Sequence, residues 1–302
     1  MSEDVSVNGG FEAIARELGA QLGGDCDLEP ESAVSAGSSH RTYRWRCGET
    51  PLFVKVAYDA GGAALEAEAA GLLALGGAHA VRVPRVLARG TAGRSGFLAL
   101  EWIEARPSGR AAEHKLGERL AAQHQVTAAQ FGFTGDNFIG RTPQPNGCLP
   151  DWAEFFRERR LRHQLALAAQ NGFAALLEEP GARLLQAVAA LLAGHRPQAS
   201  LLHGDLWAGN WLADEHEEPV IFDPAAYYGD READLAMTRL FGGFGRAFYD
   251  AYQGAAPLPA GHAVRAELYN LYHVLNHANL FGGGYARQAR TTIDRLLAEV
   301  RA

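Results

Sequence analysis

Apolar residues in FEAIARELGAQL (11–22) recur at helical spacing and predict a short amphipathic opening helix. The pattern then shortens to strand-like pieces at 28–35, at 42–47 (TYRWRC) and at 52–56 (LFVKV), separated by the turn-prone AGSSH and GET. These pieces predict a small antiparallel sheet. After DAGG, residues 63–75 (AALEAEAAGLLAL) are strong helix formers, and two apolar runs follow, VPRVLAR at 83–89 and GFLALEWIE at 96–104. From about residue 113 the period becomes helical, with long segments at 115–128, 151–171 and 181–194. The expectation is an α+β chain: a sheet-rich part over 1–102 and a mostly helical part over 103–302, joined near 102–108.

A chain of 302 residues with 47% hydrophobic residues can bury a full core, which argues against disorder. Its net charge of −7 gives nucleic acid or an anionic membrane no electrostatic footing, so a small-molecule partner is the better expectation. Cys26, Cys47 and Cys148 are odd in number, widely spaced and outside CxxC pairs, which argues against a disulfide framework and against a zinc site. Cys47 reads as a small core residue. The N-terminus is acidic where an export signal is basic, and no uninterrupted apolar run reaches membrane-spanning length. A reducing cytoplasm is the expected location.

One stretch concentrates the chemistry. In LLHGDLWAGNWLADEHEEPVIFDP (201–224), Asp205, Asn210 and Asp223 stand five and then thirteen residues apart, with apolar runs before the first and the last. Such a loop can aim one carboxylate at a substrate hydroxyl and one amide oxygen at a metal, while Asp223, at the end of a buried strand, can ligate the Mg²⁺ carried by ATP. Taken singly, an Asp at a strand end is more often a turn or cap residue; the joint spacing is far more selective. A phosphoryl-transfer site of this type also needs a lysine on a central strand and a glutamate on the next helix. LFVKV supplies Lys55, although an outward lysine on an edge strand is the bland alternative. Helix 63–75 supplies Glu66 and Glu68, which point to different faces, so only one can pair with Lys55; Glu68 is the expected partner. Gly37, Ser38 and Ser39 lie in the first interstrand turn, where backbone N–H groups can cover phosphates, and an ordinary hairpin turn is an equal reading. Glu101, Trp102 and Ile103, where an apolar strand runs into the junction, can wall an adenine pocket.

The same residues carry a resemblance. LLHGDLWAGN, FDPAAYYGDREADLAMTRLFGGF (222–244), FGFTGDNFIGRTPQPN (131–146), DWAEFFRERRL (151–161) and LYHVLNHANLFGGGY (271–285) resemble the fructosamine kinase family, also called ketosamine 3-kinases, over about residues 9–300. The match is much longer than the HGDxxxxN shared by the wider aminoglycoside and choline kinase-like superfamily. It implies a protein-kinase-like bilobal fold and phosphorylation by ATP of the 3-hydroxyl of a ketosamine, a fructose-, ribulose- or erythrulose-derived adduct on a small amine or on a lysine of a peptide or protein. By position it implies Asp205 as base, Asn210 and Asp223 as ligands of Mg²⁺, Lys55 as the phosphate contact and Glu68 as its partner. His203 is expected to brace the loop and Trp207 to stack on the acceptor. Phe241, Asn276 and His277 are candidate acceptor contacts, with core packing an equal alternative for Asn276 and His277. Some members of the family carry a redox-active cysteine in the phosphate-covering loop; Ser38 and Ser39 stand there in this chain, so a monomer insensitive to thiol oxidation at this loop is expected. Competing readings are a kinase acting on aminoglycoside, choline or homoserine-like hydroxyls, a metal-dependent phosphohydrolase using His203, Asp205 and Asp223, and a nucleotide-binding pseudokinase.

Overall fold

The computed structural model describes residues 2–35, 40–58 and 62–300, with side chains described throughout these segments except at 2–9 and 29–35. Helix α1 (Ser2–Leu22) leads into an antiparallel sheet of β1 (Cys26–Ser35), β2 (Arg41–Cys47) and β3 (Thr50–Tyr58), then α2 (Gly62–Gly77), β4 (Val86–Ala92) and β5 (Ser95–Glu101). The strand order is β1-β2-β3-β5-β4, which places β3 and β5 in the interior of the sheet. Strand alternation then decides the two faces. Leu52, Val54, Val56, Phe97 and Ala99 pack with Ile14 and Leu18 of α1, whereas Ala57, Leu98 and Leu100 pack with Leu65, Ala69 and Leu72 of α2. Full burial of Ile14 and Leu18 contributes about 1.5–3 kcal/mol each, so α1 is an integral layer. Lys55, between Val54 and Val56, falls by the same alternation on the α2 face.

The rest of the chain is mainly helical: α3 (Arg110–Gln123), the short strands β6 (Thr127–Ala128), β7 (Asn137–Ile139) and β8 (Thr142–Gln144), then α4 (Trp152–Phe155), a wider helical turn over Phe156–Arg162, α5 (His163–Ala168) and α6 (Ala174–Leu191). There follow β9 (Ala199–Leu202), β10 (Trp211–Ala213), β11 (Pro219–Ile221), β12 (Tyr227–Gly229), α7 (Glu232–Leu240), α8 (Arg246–Ala255), α9 (His262–Phe281) and α10 (Gly284–Glu299). α9 packs against α5, α7 and α10. A large apolar core joins α6, α9 and α10 to Trp152, Phe155 and Phe156, while a second core runs from Ala57 to Ala256 and ties the sheet-rich part to α3, α8 and the segment from Leu201 to Ala226. The α+β protein-kinase-like fold is therefore the one the chain adopts.

Three details differ from expectation. The helix expected over 115–128 lies at Arg110–Gln123, because Thr127 and Ala128 pair instead with Ser200 and Ala199 of β9. The helix expected from 181 starts seven residues earlier and runs through Pro180. Cys26 and Cys47, expected as free thiols, form a disulfide, and Cys148 is the free, exposed cysteine. The cause is register: β1 and β2 pair antiparallel with Cys26 opposite Cys47, which brings their Cα atoms to 4.1 Å. Among the described residues no helix is long and apolar enough to cross a membrane.

Candidate active site

Four short buried strands build the site. β9 is buried at every residue and pairs with β12, Leu202 opposite Tyr227, so the loop leaving β9 at His203 lies beside the segment entering β12. β10 and β11 form a hairpin with Trp211 opposite Ile221, and the Phe222 N–H donates to Asn210 O at 3.0 Å. That hairpin explains the thirteen-residue spacing: it sets Asn210 and Asp223 at one end of the same ladder. Gly204 has φ 82°, and a Cβ there would lie 2.1 Å from Ala225 O, so the loop can close on the neighbouring chain only with glycine.

Asp234 locks the loop from behind. Its carboxylate accepts from the backbone N–H groups of His203 and Gly204, both at 2.8 Å, and sits 3.2 Å from His124 Nε2. The His203 ring is wholly buried; Nε2 donates to Phe222 O at 2.9 Å and Nδ1 accepts from Asp205 N at 3.3 Å. Burial holds its pKa below the usual histidine value, the neutral form this pairing needs. Asn210 Nδ2 donates to Asp205 O at 2.9 Å and faces Asp205 Oδ2 at 3.4 Å. Burial, together with Asp223 and Asp234 nearby, pushes the Asp205 carboxyl up to about 7 against the hydrogen bond from Asn210. A carboxylate poised there is matched to accepting a proton near neutrality.

The structure brings the remaining charged residues to the same place. Lys55 Nζ lies 2.7 Å from Glu68 Oε1 and 2.5 Å from Asp223 Oδ1. Burial alone would lower the lysine pKa, but Glu68 and Asp223 outweigh it and hold the ammonium above its ordinary range. Glu68 is itself pushed up by burial against the pull of Lys55. Glu66 faces the other way, 3.5 Å from Arg89. Asp223 has φ 56°, an uncommon left-handed backbone for a non-glycine residue.

Lys55, Glu68, Asp205, Trp207, Asn210 and Asp223 line one cavity of about 800 Å³, within the range of small-molecule sites. Its apolar end has Phe53, Leu100, Trp102, Ile103, Leu212 and Phe222. Arg44 lies over the Trp102 ring at 4.4 Å, and the indole N–H donates to Glu104 at 2.8 Å. Glu101 lines the cavity, but its carboxylate is paired with Arg82 and Arg85. Gly37, Ser38 and Ser39 lie outside the described residues; His40 and Thr42, just beyond them, line the cavity.

Among the acceptor candidates, Asn276 needs correction. It is buried in α9 and hydrogen-bonds with Gln164 and Ile139 O, so its amide serves the core rather than the cavity. Phe241 and His277 stand outside the cavity lining and meet at a tilt with ring centres 4.9 Å apart, in an aromatic group with Phe281 and Tyr285. Trp207, Phe241 and Phe281 are among the exposed large hydrophobics. Residues missed in the sequence reading are Asn137, Phe138 and Gly140, which also line the cavity; they sit in the quoted stretch FGFTGDNFIGRTPQPN, on a hairpin that turns at Gly140 and Arg141. One other group of donors, His195, Asp230 and Glu232, converges away from the cavity. Asp230 is taken by His195 and Tyr269 and Glu232 by Arg265, so this group braces the helices.

Comparison with known proteins identifies relatives of the whole chain. Residues 10–299 match the family model described as fructosamine kinase. A Synechocystis protein named a probable ketoamine kinase is 42% identical over 288 residues, covering 95% of this chain and 97% of its own. The chloroplastic protein-ribulosamine 3-kinase of Arabidopsis thaliana is 39% identical over 289 residues, covering 95% of this chain and 84% of its own. The crystal structure of a candidate fructosamine-3-kinase from Haemophilus somnus superposes with a TM-score of 0.89 at 27% identity, over 96% of this chain and 99% of that one.

Proposed function

Because this chain belongs to the fructosamine kinase family, we propose that it transfers the γ-phosphoryl group of ATP to the 3-hydroxyl of a ketosamine, with Asp205 as base. The observation that carries the reading is the convergence of Asp205, Asn210, Asp223, Lys55 and Glu68 on one cavity that has an aromatic residue at the base and an apolar slot beyond it. Adenine fits the slot between Leu100, Trp102, Leu212 and Phe222. Lys55, oriented by Glu68, meets the α- and β-phosphates. Asp205 orients the sugar hydroxyl and takes its proton, while Trp207 stacks on the sugar or the carbon chain of the amine. The lobes meet near 102–108, and the enzyme acts as a monomer; a reductant-dependent dimer on gel filtration would refute the second statement.

The residues present fit Mg²⁺. Asn210 gives its N–H to Asp205 and Asp223 gives one oxygen to Lys55, so among the described residues one oxygen of each is without a hydrogen-bond partner, and a hard cation prefers oxygen. When bound there, the ion neutralises charge that spreads over the transferred phosphoryl group.

Two observations weigh against the alternatives. A polycationic aminoglycoside calls for free carboxylates, yet in the lining Glu68 is engaged by Lys55 and Glu101 by Arg82 with Arg85. A phosphohydrolase would need His203 as a ligand, and both its ring nitrogens are committed. The test is ADP release from Mg-ATP with ribulose-lysine, fructose-lysine, aminoglycosides and choline, beside Asp205→Asn. Ketosamine-dependent release that drops at least about a hundredfold in the variant, as loss of a general base predicts, supports the reading. Release on aminoglycosides or choline alone would overturn the substrate, and full turnover in the variant would overturn the base.

A further inference from the structure

The hairpin β7–β8 occupies a position the phosphoryl-transfer chemistry does not by itself require. It is tied to the segment that follows Asp223. Asn137 Nδ2 donates to Ala226 O at 2.8 Å, and Gln144 Nε2 donates to Ala225 O at 3.1 Å. Two successive carbonyls after Pro224 are thus held by two side-chain amides from one hairpin, in which Asn137 and Gln144 are directly opposite each other. The amides also bind each other: Gln144 Nε2 donates to Asn137 Oδ1 at 2.7 Å, and so does Asn146 Nδ2. Tyr272 OH donates to Gln144 Oε1 at 2.6 Å, and Arg160 Nη2 donates to Asn146 Oδ1 at 2.8 Å.

Every member of this network is buried, and Arg160 has no carboxylate partner among the described residues. Its guanidinium rests instead on the rings of Tyr227 at 4.0 Å and Phe155 at 4.8 Å and donates to Pro145 O at 2.7 Å. Burying a cation without a counter-charge costs free energy, and the return is a fixed anchor for the turn after β8. On its other side β7 packs against α2, the helix that carries Glu68. α2 in turn lies on the same segment: a Cβ at Gly71 would stand 3.2 Å from Pro224 Cγ and 3.3 Å from Ala226 Cβ. Residues 224–226 are therefore clasped between α2, the hairpin, and His203, whose carbonyl accepts from Ala225 N at 2.9 Å.

We propose that Asn137 and Gln144 are positioning residues for the metal-nucleotide: by fixing the backbone just after Asp223, they hold its left-handed conformation and keep its carboxylate aimed into the cavity. The inference rests on the reading of Asp223 as a metal ligand. It assigns the hairpin a part in nucleotide binding on the Asp223 side of the contact between Ala225 and His203, while Asp234 holds the loop of Asp205.

The test compares ADP binding by calorimetry with Mg²⁺ and with EDTA for the wild type, Gln144→Met, Tyr272→Phe and Asp223→Asn. Loss of a group that orients a metal ligand weakens metal affinity about 10–100-fold. Gln144→Met should therefore lower the Mg²⁺-dependent gain in ADP affinity about tenfold while leaving the EDTA value unchanged. A purely structural role predicts a lower melting temperature with the Mg²⁺-dependent gain intact. Tyr272→Phe removes only the hydroxyl that orients Gln144 and should lower the gain about threefold; it decides the question if Gln144→Met fails to fold. A wild-type gain in both variants, with the gain lost in Asp223→Asn, would overturn the inference alone. A wild-type gain in Asp223→Asn would overturn the metal reading and the inference with it.

Discussion

Replacing Glu68 by Gln tests the ion triad with little change of shape. Lys55 stands between two carboxylates, 2.7 Å from Glu68 and 2.5 Å from Asp223, with its side chain only 5% exposed. At an effective dielectric of about 20, charges 2.7 Å apart attract by about 6 kcal/mol. Much of that is offset, because burial disfavours the charged form of Glu68, as its raised pKa indicates. Removing one partner of a buried pair typically costs about 3–5 kcal/mol, and here Asp223 remains to compensate the lysine, so a loss of about 2–3 kcal/mol is expected. A loss of similar size should appear in the use of the nucleotide, because the same lysine meets the phosphates. Without Glu68 the ammonium is drawn to Asp223 and away from the phosphates, so kcat/KM for ATP should fall about 30–150-fold. The KM for the ketosamine should stay within about twofold, because the loop of Asp205 is held by Asp234 at His203 and Gly204 and not by Lys55. Steady-state ADP release at saturating ketosamine, with ATP varied, measures the first quantity. A value within about threefold of the wild type would show that Glu68 does not orient Lys55 for the nucleotide.

Asp234→Asn leaves one oxygen where two backbone N–H groups and His124 now converge, and each hydrogen bond to a charged group is worth about 1.5–3 kcal/mol; kcat should fall at least about tenfold, and a wild-type kcat would refute the locking role. Cys26→Ser opens a covalent loop of 21 residues, so oxidised wild type should exceed the variant in unfolding free energy by about 3 kcal/mol and reduced wild type should not, as urea titrations would reveal. Stability should also fall on acidification through His273, whose pKa is lowered to about 3 by burial, with His277 and Arg160 acting in the same direction. Between that value and the unfolded value of about 6.5 the unfolded chain binds the extra proton, so stability is complete above pH 6.5 and is lost as pH falls toward 3. About 2 kcal/mol should disappear between pH 8 and 5 from this residue, and His273→Gln should flatten the slope; an unchanged slope would refute the assignment.

The parts of the site that could be read from the sequence are those in which strand alternation or hairpin arithmetic acts over a few residues. Lys55 faces α2 because Val54 and Val56 face α1, and Glu68, not Glu66, meets it because two helical positions apart is nearly the opposite face. What could not be read depends on long-range register. The disulfide follows from pairing Cys26 with Cys47 across β1 and β2, and an odd cysteine count says nothing about which two will meet. Asn276 was ambiguous for a similar reason: helical spacing identifies an inward face, not whether an amide on it meets the cavity or Gln164. The hairpin at 137–144 was hidden by its length, since strands of three residues have too little alternation to reveal themselves.

The apolar frame around HGDLWAGN and VIFDP answers a requirement of charge. A carboxylate drawn partly out of water is costly unless fixed donors replace that water, and fixed donors require a well-packed backbone. The strands β9 and β11 are buried at every residue, so packing holds their ends in place. Asp205 and Asp223 leave from those ends, and the donors that hold their surroundings are mainly backbone N–H groups and side-chain amides rather than mobile surface chains. The short strands thus do in this fold what longer elements do elsewhere: they convert apolar burial into the placement of two carboxylates. A variant that softens either strand, such as Val220→Ala, should lower kcat more than its stability loss alone explains, and activity per folded molecule equal to the wild type would refute that link.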